Sequence, residues 1–275
     1  MLPGLPLTLG LTSGWLALVV VVPLAALLVA GLRLPSAQLV GALADGRARA
    51  ALALSFGAAG LAALVNVVFG TLLAWVLVRY RFPGRRLADA LVDLPFALPT
   101  AVAGIALTAL YGPHGWLGAP LAALGLKVAY TRLGIVVALV FVGLPFVVRT
   151  VQPVLADLDP ELEEAATSLG AGRLRVATTV ILPEVAPAAL TGFTLAFARA
   201  LGEYGSVIFI AGNLPGRTEI VPLLIVIRLE SYDYAGAAAL GLVMLAVSLA
   251  LLAALNALQR WSQRRAQPAE AGRGA

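Results

Sequence analysis

No cysteine occurs anywhere in the 275 residues, which excludes disulfides, thiolate metal sites and a cysteine nucleophile. Lysine is almost missing too, since Lys127 in Gly-Leu-Lys-Val is the only one. A phosphate-binding loop ends its glycine-rich turn in Gly-Lys-Ser/Thr, so the chain has no route of that kind to ATP. The single histidine, His114, sits in a Gly-Pro-His-Gly turn with no ligand or catalytic partner beside it. There is no nucleophile elbow, no metal-ligand cluster and no pair of carboxylates in a plausible pocket. The expectation is a non-catalytic chain without metal or cofactor. Charge is scarce as well: 12% of residues are charged, against about 25% in an average soluble domain.

Apolar residues fill the gap, at 61% of the chain and a mean hydropathy of +0.96. This is the composition of an all-α polytopic membrane protein. A helix needs about 20 apolar residues to cross the hydrocarbon core, and about six stretches qualify: Gly14–Leu32, Leu54–Val78, Leu91–Leu110, Leu133–Val151, Pro187–Ile210 and Ala237–Leu258. The first apolar run begins near Leu5 with no basic residue before it, so it reads as a retained span rather than a signal peptide. Pro23, Pro95, Pro99 and Pro145 fall inside these stretches and predict kinks. The expected organisation is a first helix and loop over 1–53, a transmembrane domain over 54–260 and a tail over 261–275.

The net charge of +5 does not point to nucleic acid, because the basic residues flank apolar runs, where they set orientation. Eleven lie on one side of the expected membrane: Arg79, Arg81, Arg85, Arg86, Arg149, Arg173, Arg175, Arg260, Arg264, Arg265 and Arg273. Seven lie on the other: Arg33, Arg47, Arg49, Lys127, Arg132, Arg217 and Arg228. The bias predicts that both termini face the cytoplasm.

One polar interruption stands out, Glu163 to Gly170, followed by Val180-Ile-Leu-Pro183. Asp159 is a suitable N-cap and Pro160 a suitable first helical residue. Glu161, Glu163 and Glu164 place negative charge where the helix dipole favours it. Leu162, Ala165, Ala166 and Leu169 recur at i, i+3, i+4 and i+7, which makes one apolar face. Gly170 is a natural stop. The spacing predicts a capped helix of about two and a half turns, with small residues that allow close approach by another protein.

The pattern Glu164-Ala165-Ala166, Gly170, Val180, Leu182, Pro183 resembles the cytoplasmic loop signature of ABC-importer permeases, with Val180 where that signature often has Ile. The resemblance extends to Arg79-Tyr-Arg-Phe-Pro-Gly-Arg85, Asp93–Gly104, Pro145–Pro153 and Leu201–Asn213. These segments look like the sulfate/thiosulfate importer permeases, nearest to the T-type (also called U-type) of their two paired subunits. The parts around Arg149 and Glu203 are shared with molybdate permeases, which leaves molybdate or tungstate open. The resemblance implies a type I ABC-importer permease fold in a bacterial cytoplasmic membrane. It also implies separate ATPase subunits, a second paralogous permease and a periplasmic sulfate-binding protein as partners. Glu163, Glu164, Ala165, Ala166, Leu169, Gly170, Leu182 and Pro183 would then form the ATPase-coupling segment, within about 152–183. A secondary anion carrier is the other class of reading. It predicts inverted repeats or intramembrane proton-relay carboxylates and leaves the polar helix unexplained.

Arg199 and Glu203 lie four residues apart in the expected fifth span and would share a face. Each costs about 2.5–3.5 kcal/mol at a helix centre, so they should pair or meet a wet cavity. They and Asn213 are candidates for the translocation path or gate, with packing alone as the competing role.

Overall fold

The computed structural model describes residues 4–266, and every regular element among them is helical. Residues 267–275, including Arg273 of the expected tail, lie outside the described residues. The first span is built from α1 (Leu5–Leu16), a π turn (Ala17–Val21) and α2 (Val22–Leu32). After α3 (Ser36–Ala44) comes the long α4 (Gly46–Arg79), whose N-cap Asp45 accepts from the Arg47 amide. Three short helices follow: α5 (Arg85–Val92), α6 (Leu94–Ala97) and α7 (Thr100–Tyr111). Then come α8 (Gly118–Ala123), α9 (Arg132–Asp157), α10 (Pro160–Ser168) and α11 (Arg173–Val176). A second π turn (Ala177–Ile181) joins α11 to α12 (Leu182–Leu201). The series ends with α13 (Gly205–Ile210), α14 (Val221–Glu230) and α15 (Tyr234–Ala266).

Five of these stretches are long and apolar enough to cross a membrane, and α7 is a shorter apolar helix. The expected third span, Leu91–Leu110, is not one rod. Proline disfavours helical backbone in the residue before it, and Leu98, before Pro99, is extended at φ −84°, ψ 134°. The chain therefore stops α6 at Ala97 and restarts α7 at Thr100. The expected fifth span, Pro187–Ile210, is displaced toward the N-terminus. It runs from Arg173 to Leu201 and breaks at Gly202 before α13.

Pro23 and Pro183 are handled in the same way. Proline cannot donate to the carbonyl four residues back and its ring crowds that carbonyl. In both helices a π turn ends two residues before the proline, and the residue between closes a wider bond: Val22 N–H to Ala17 O, Leu182 N–H to Ala177 O. The helix goes on instead of breaking.

The core lies where α4, α9 and α12 cross. Small residues let these backbones meet, as expected for helices packed in lipid. A Cβ on Gly192 of α12 would lie 2.9 Å from the Val147 Cα of α9, and one on Gly143 of α9 would lie 2.6 Å from Asn66 Nδ2 of α4. Ala59, Ala62, Ile135, Ala138, Val147 and Val151 are fully buried around these crossings. By contrast, only 6% of the first span's most apolar window is buried. It meets the bundle through α2 and α15, and Gly31 is its one buried residue in α2. There a Cβ would fall 2.0 Å from Leu242 Cδ1.

Candidate functional site

The polar interruption folds as its sequence predicts. The Asp159 carboxylate accepts from the Glu161 amide at 2.9 Å, and Pro160 opens α10. At the other end Gly170 takes φ +84°, a left-handed value suited to glycine, while the Ala171 amide reaches back to Ala166 O at 3.0 Å. This six-to-one bond closes the helix C-terminus.

What α10 exposes is its apolar face. Leu162 is 50% exposed and Leu169 89%, and Ala165 is exposed between them, while Ala166 packs on the core formed by α4, α9 and α12. Glu164 is exposed at the surface, but Glu163 accepts from Arg79, the last residue of α4. That ion pair fixes the polar helix to the end of a membrane span. The helices on either side run further into the expected coupling segment, 152–183, than hydropathy suggests. α9 continues to Asp157 and the fifth span begins at Arg173. Leu182 and Pro183 are therefore exposed residues of that span rather than of the connection.

A network that sequence reasoning missed ties α9 to α5 and to Asp93. Arg149 of α9 uses all five guanidinium donors. Its Nε and Nη2 bind Asp93 at 2.8 and 2.6 Å, Nη1 binds Asp89 Oδ1 and Gln152 Oε1 at 2.7 and 2.6 Å, and Nη2 also binds the Asp89 carbonyl at 2.8 Å. Gln152 Nε2 donates back to Asp89 Oδ1 at 2.9 Å. These bonds from Gln152 and then Arg149 hold the Asp89 carboxyl below the usual carboxylate range. The signal was present in sequence: Asp89 and Asp93 are spaced i, i+4, and Arg149 counted only toward orientation.

The structure brings Arg199 and Glu203 together, but not on one helix. Arg199 lies in the last turn of α12, whereas Glu203 lies past Leu201 in the break before α13. The pair still closes, with Arg199 Nη1 2.6 Å from Glu203 Oε2. The Glu203 side chain is 2% exposed, and its other oxygen accepts from the Ser206 amide and hydroxyl at 2.8 and 2.9 Å. Helix α7 packs directly on this break. A Cβ on Gly205 would lie 2.1 Å from Thr100 Oγ1, and one on Gly104 would lie 2.4 Å from the Ser206 carbonyl. Two interrupted helices thus start side by side at a buried carboxylate held by a half-exposed arginine. Asn213 is elsewhere. It sits past the far end of α13 at φ +53°, where its Nδ2 donates to Ile208 O at 2.7 Å and shapes a turn.

A second set of ion pairs closes the opposite end of the bundle. Arg47 binds Glu219 with Nε and Nη2 at 2.7 and 2.6 Å, and Arg228 binds Asp45 and Asp233 at 3.0 and 3.2 Å. Arg47 and Arg79 stand at the two ends of α4, which spans about 50 Å at 1.5 Å per residue. The two groups of charges are separated by the apolar body of the bundle, the arrangement of a multi-pass membrane protein.

Residues 66–268 match the family described as binding-protein-dependent transport system inner membrane component. The chain is 50% identical over 264 residues to the sulfate transport system permease protein CysT of Salmonella typhimurium, covering 96% of this chain and 95% of that protein. The protein of the same name in Escherichia coli K12 is 49% identical with the same coverage. That of Synechocystis is 50% identical over 250 residues, 91% of this chain and 87% of the relative. Among solved structures, a bacterial ABC transporter that imports the acidic polysaccharide alginate superposes with a TM-score of 0.77 at 18% identity, over 93% of this chain and 94% of that one. At that identity the likeness is one of fold.

Proposed function

Because the chain belongs to the family of binding-protein-dependent transport system inner membrane components, we propose that it is the sulfate-conducting permease subunit of an ATP-driven importer. The names of relatives about 50% identical over nearly the whole length support sulfate, and thiosulfate beside it, as cargo. The single observation that carries the mechanism is α10. It is a helix capped at both ends, joined to a span by Arg79–Glu163, and Leu162 and Leu169 of its apolar face stay exposed among the described residues.

On this reading Glu164, Ala165, Leu169 and Gly170 dock into a groove on a separate ATPase subunit, Glu163 and Ala166 of the same segment hold α10 to the bundle, and Leu182 and Pro183 start the arm that answers. The permease itself does no covalent chemistry. Its barely buried first span suits coverage by a second, paralogous permease. A periplasmic binding protein would deliver the dianion to the end held by Arg47–Glu219. The chain would lie in the bacterial cytoplasmic membrane with both termini in the cytoplasm. A cysteine replacing Asp45 should then label from outside intact cells and one replacing Arg85 should not.

The path itself must satisfy a strongly hydrated dianion without trapping it. A hydrocarbon lining fails the first demand and a cluster of free cations fails the second. One arginine already countered by a carboxylate, Arg199 with Glu203, meets both. The test is sulfate uptake in cells lacking their own sulfate permease, with molybdate as competitor. Uptake should return with this chain and its partner subunits and should resist excess molybdate. Molybdate uptake in place of sulfate would overturn the assignment of cargo, and uptake without an ATPase would overturn the importer class.

A further inference from the structure

One cavity at the polar end of α4 is unused by the transport reading. It has a volume of about 630 Å³, opens between the end of α4 and the start of α5, and is lined by Arg81, Arg85 and Arg86 with Phe82, Asp89 and Gln152. Among the described residues none of these three arginines forms an ion pair. The one lining carboxylate is already engaged, since Asp89 Oδ1 accepts from Arg149 and Gln152. The cavity therefore holds three cations against one satisfied anion. Gly84, at φ +85°, makes the turn that puts Arg85 and Arg86 in the first turn of α5, where no side chain caps the helix.

The neighbourhood is apolar on the other side. Leu87 and Leu91, i and i+4 on α5, are 65% and 54% exposed, and Phe82, Leu94 and Phe96 are exposed beside them. A short helix with bare leucines on one face and arginines on the other lies in the interface of a bilayer. The site begins two residues after Arg79, where the span α4 ends, so it sits at headgroup depth.

We propose that this cavity binds the phosphodiester headgroup of an anionic phospholipid, with Arg81, Arg85 and Arg86 on the phosphate and the acyl chains along Leu87 and Leu91. Basic pockets between spans on the cytoplasmic side suit such headgroups, each arginine adding about 1 kcal/mol of attraction, or roughly fivefold. The inference rests on the membrane topology proposed above but not on which anion is carried. The lipid would stand beside both the Arg149–Asp89–Asp93 network and the Arg79–Glu163 tie, so it would brace the segment that carries α10.

The test is native mass spectrometry of the full chain equilibrated with an equimolar mixture of phosphatidylglycerol and phosphatidylcholine. The protein should retain phosphatidylglycerol about a hundredfold over phosphatidylcholine. The triple variant Arg81→Gln/Arg85→Gln/Arg86→Gln should lose most of that preference, and Arg173→Gln/Arg175→Gln should keep it. No preference in the unaltered protein would overturn the proposal, even if the triple variant fails to fold. An equal loss in the Arg173/Arg175 variant would also overturn it, because diffuse surface charge would then be the cause. Complete displacement of the lipid by millimolar inorganic sulfate or phosphate would make the cavity a free-anion site and defeat the lipid assignment.

Discussion

Arg47 and Glu219, 172 residues apart, close on each other through two parallel bonds of 2.7 and 2.6 Å, and the Glu219 side chain is 1% exposed. A carboxylate that deep is tolerated only while its guanidinium partner stays. Arg47→Ala should lower the stability of the folded chain by about 3 kcal/mol, because breaking a buried pair leaves one charge uncompensated. Arg47→Ala/Glu219→Ala should recover most of that. Membrane protein level and thermal stability in detergent measure both.

The exposed face of α10 gives a cleaner separation of folding from coupling. Leu169→Asp adds charge to a residue already in solvent and should leave membrane insertion and thermal stability within about 0.5 kcal/mol of the original. It should abolish copurification of the ATPase. Gly170→Asp should also weaken that association, by straining the turn that ends the helix. Normal uptake by both variants at normal protein level would remove α10 from coupling.

For Arg199 and Glu203 the two roles part in the double variant. Each single alanine substitution should lower the amount of assembled protein, since Glu203 is buried and its partner is Arg199. Arg199→Ala/Glu203→Ala should restore the amount while transport stays poor if Arg199 meets the anion on the path proposed above. Sulfate uptake normalised to assembled complex is the measurement. Full normalised uptake would leave the pair as a packing element.

Gly104 has no room for a methyl group, and the obstacle is the Ser206 backbone rather than a movable side chain. Gly104→Ala should force α7 from α13 and cost about 1–3 kcal/mol. Gly57, with nothing within 4 Å of an added Cβ, should accept alanine without loss. Comparing the two melting temperatures checks this directly.

Asp89 supplies a pH dependence with a defined sign. Its carboxyl is held below the usual range by Gln152 and Arg149, so the folded state binds its proton less readily than the unfolded chain. The resulting stability is fully present above the unfolded-state pKa and is lost as pH falls through the folded one. The stability difference between the original and Asp89→Asn should stay constant from neutrality down to about pH 5, then shrink in more acid solution. A difference that shrinks above pH 6 would point to another group.

Local features were legible in the sequence and long-range ones were not. Asp159, Pro160 and Gly170 define α10 because caps and a left-handed stop act within a few residues. Pro99 signalled a kink, and the structure turns it into a full break because Leu98 must be extended. Hydropathy could not place the fifth span. Arg173 and Arg175 look like loop residues, yet a helix continues through them to Leu201 because a π turn accommodates Pro183. The i, i+4 spacing of Asp89 and Asp93 was visible, but their pairing with Arg149, like that of Arg47 with Glu219, was not, since these pairs join residues 56 to 172 positions apart and only helix packing brings them together. Glu203 was paired with the right residue for a partly wrong reason, as the helix expected to align them ends two residues earlier.

The stretch from Arg173 to Leu201 has a mechanical consequence. Its 29 residues make a rod of about 43 Å, with α10 docked near one tip and Arg199 at the other. Length converts small angles into large excursions: a tilt of about 5° about one tip swings the other by roughly 4 Å. That is wider than the 2.6 Å contact between Arg199 and Glu203, and Glu203 lies past the rod's end, anchored to α13 by Ser206. A few degrees of leverage at the polar tip would therefore displace Arg199 by more than the length of its contact with Glu203.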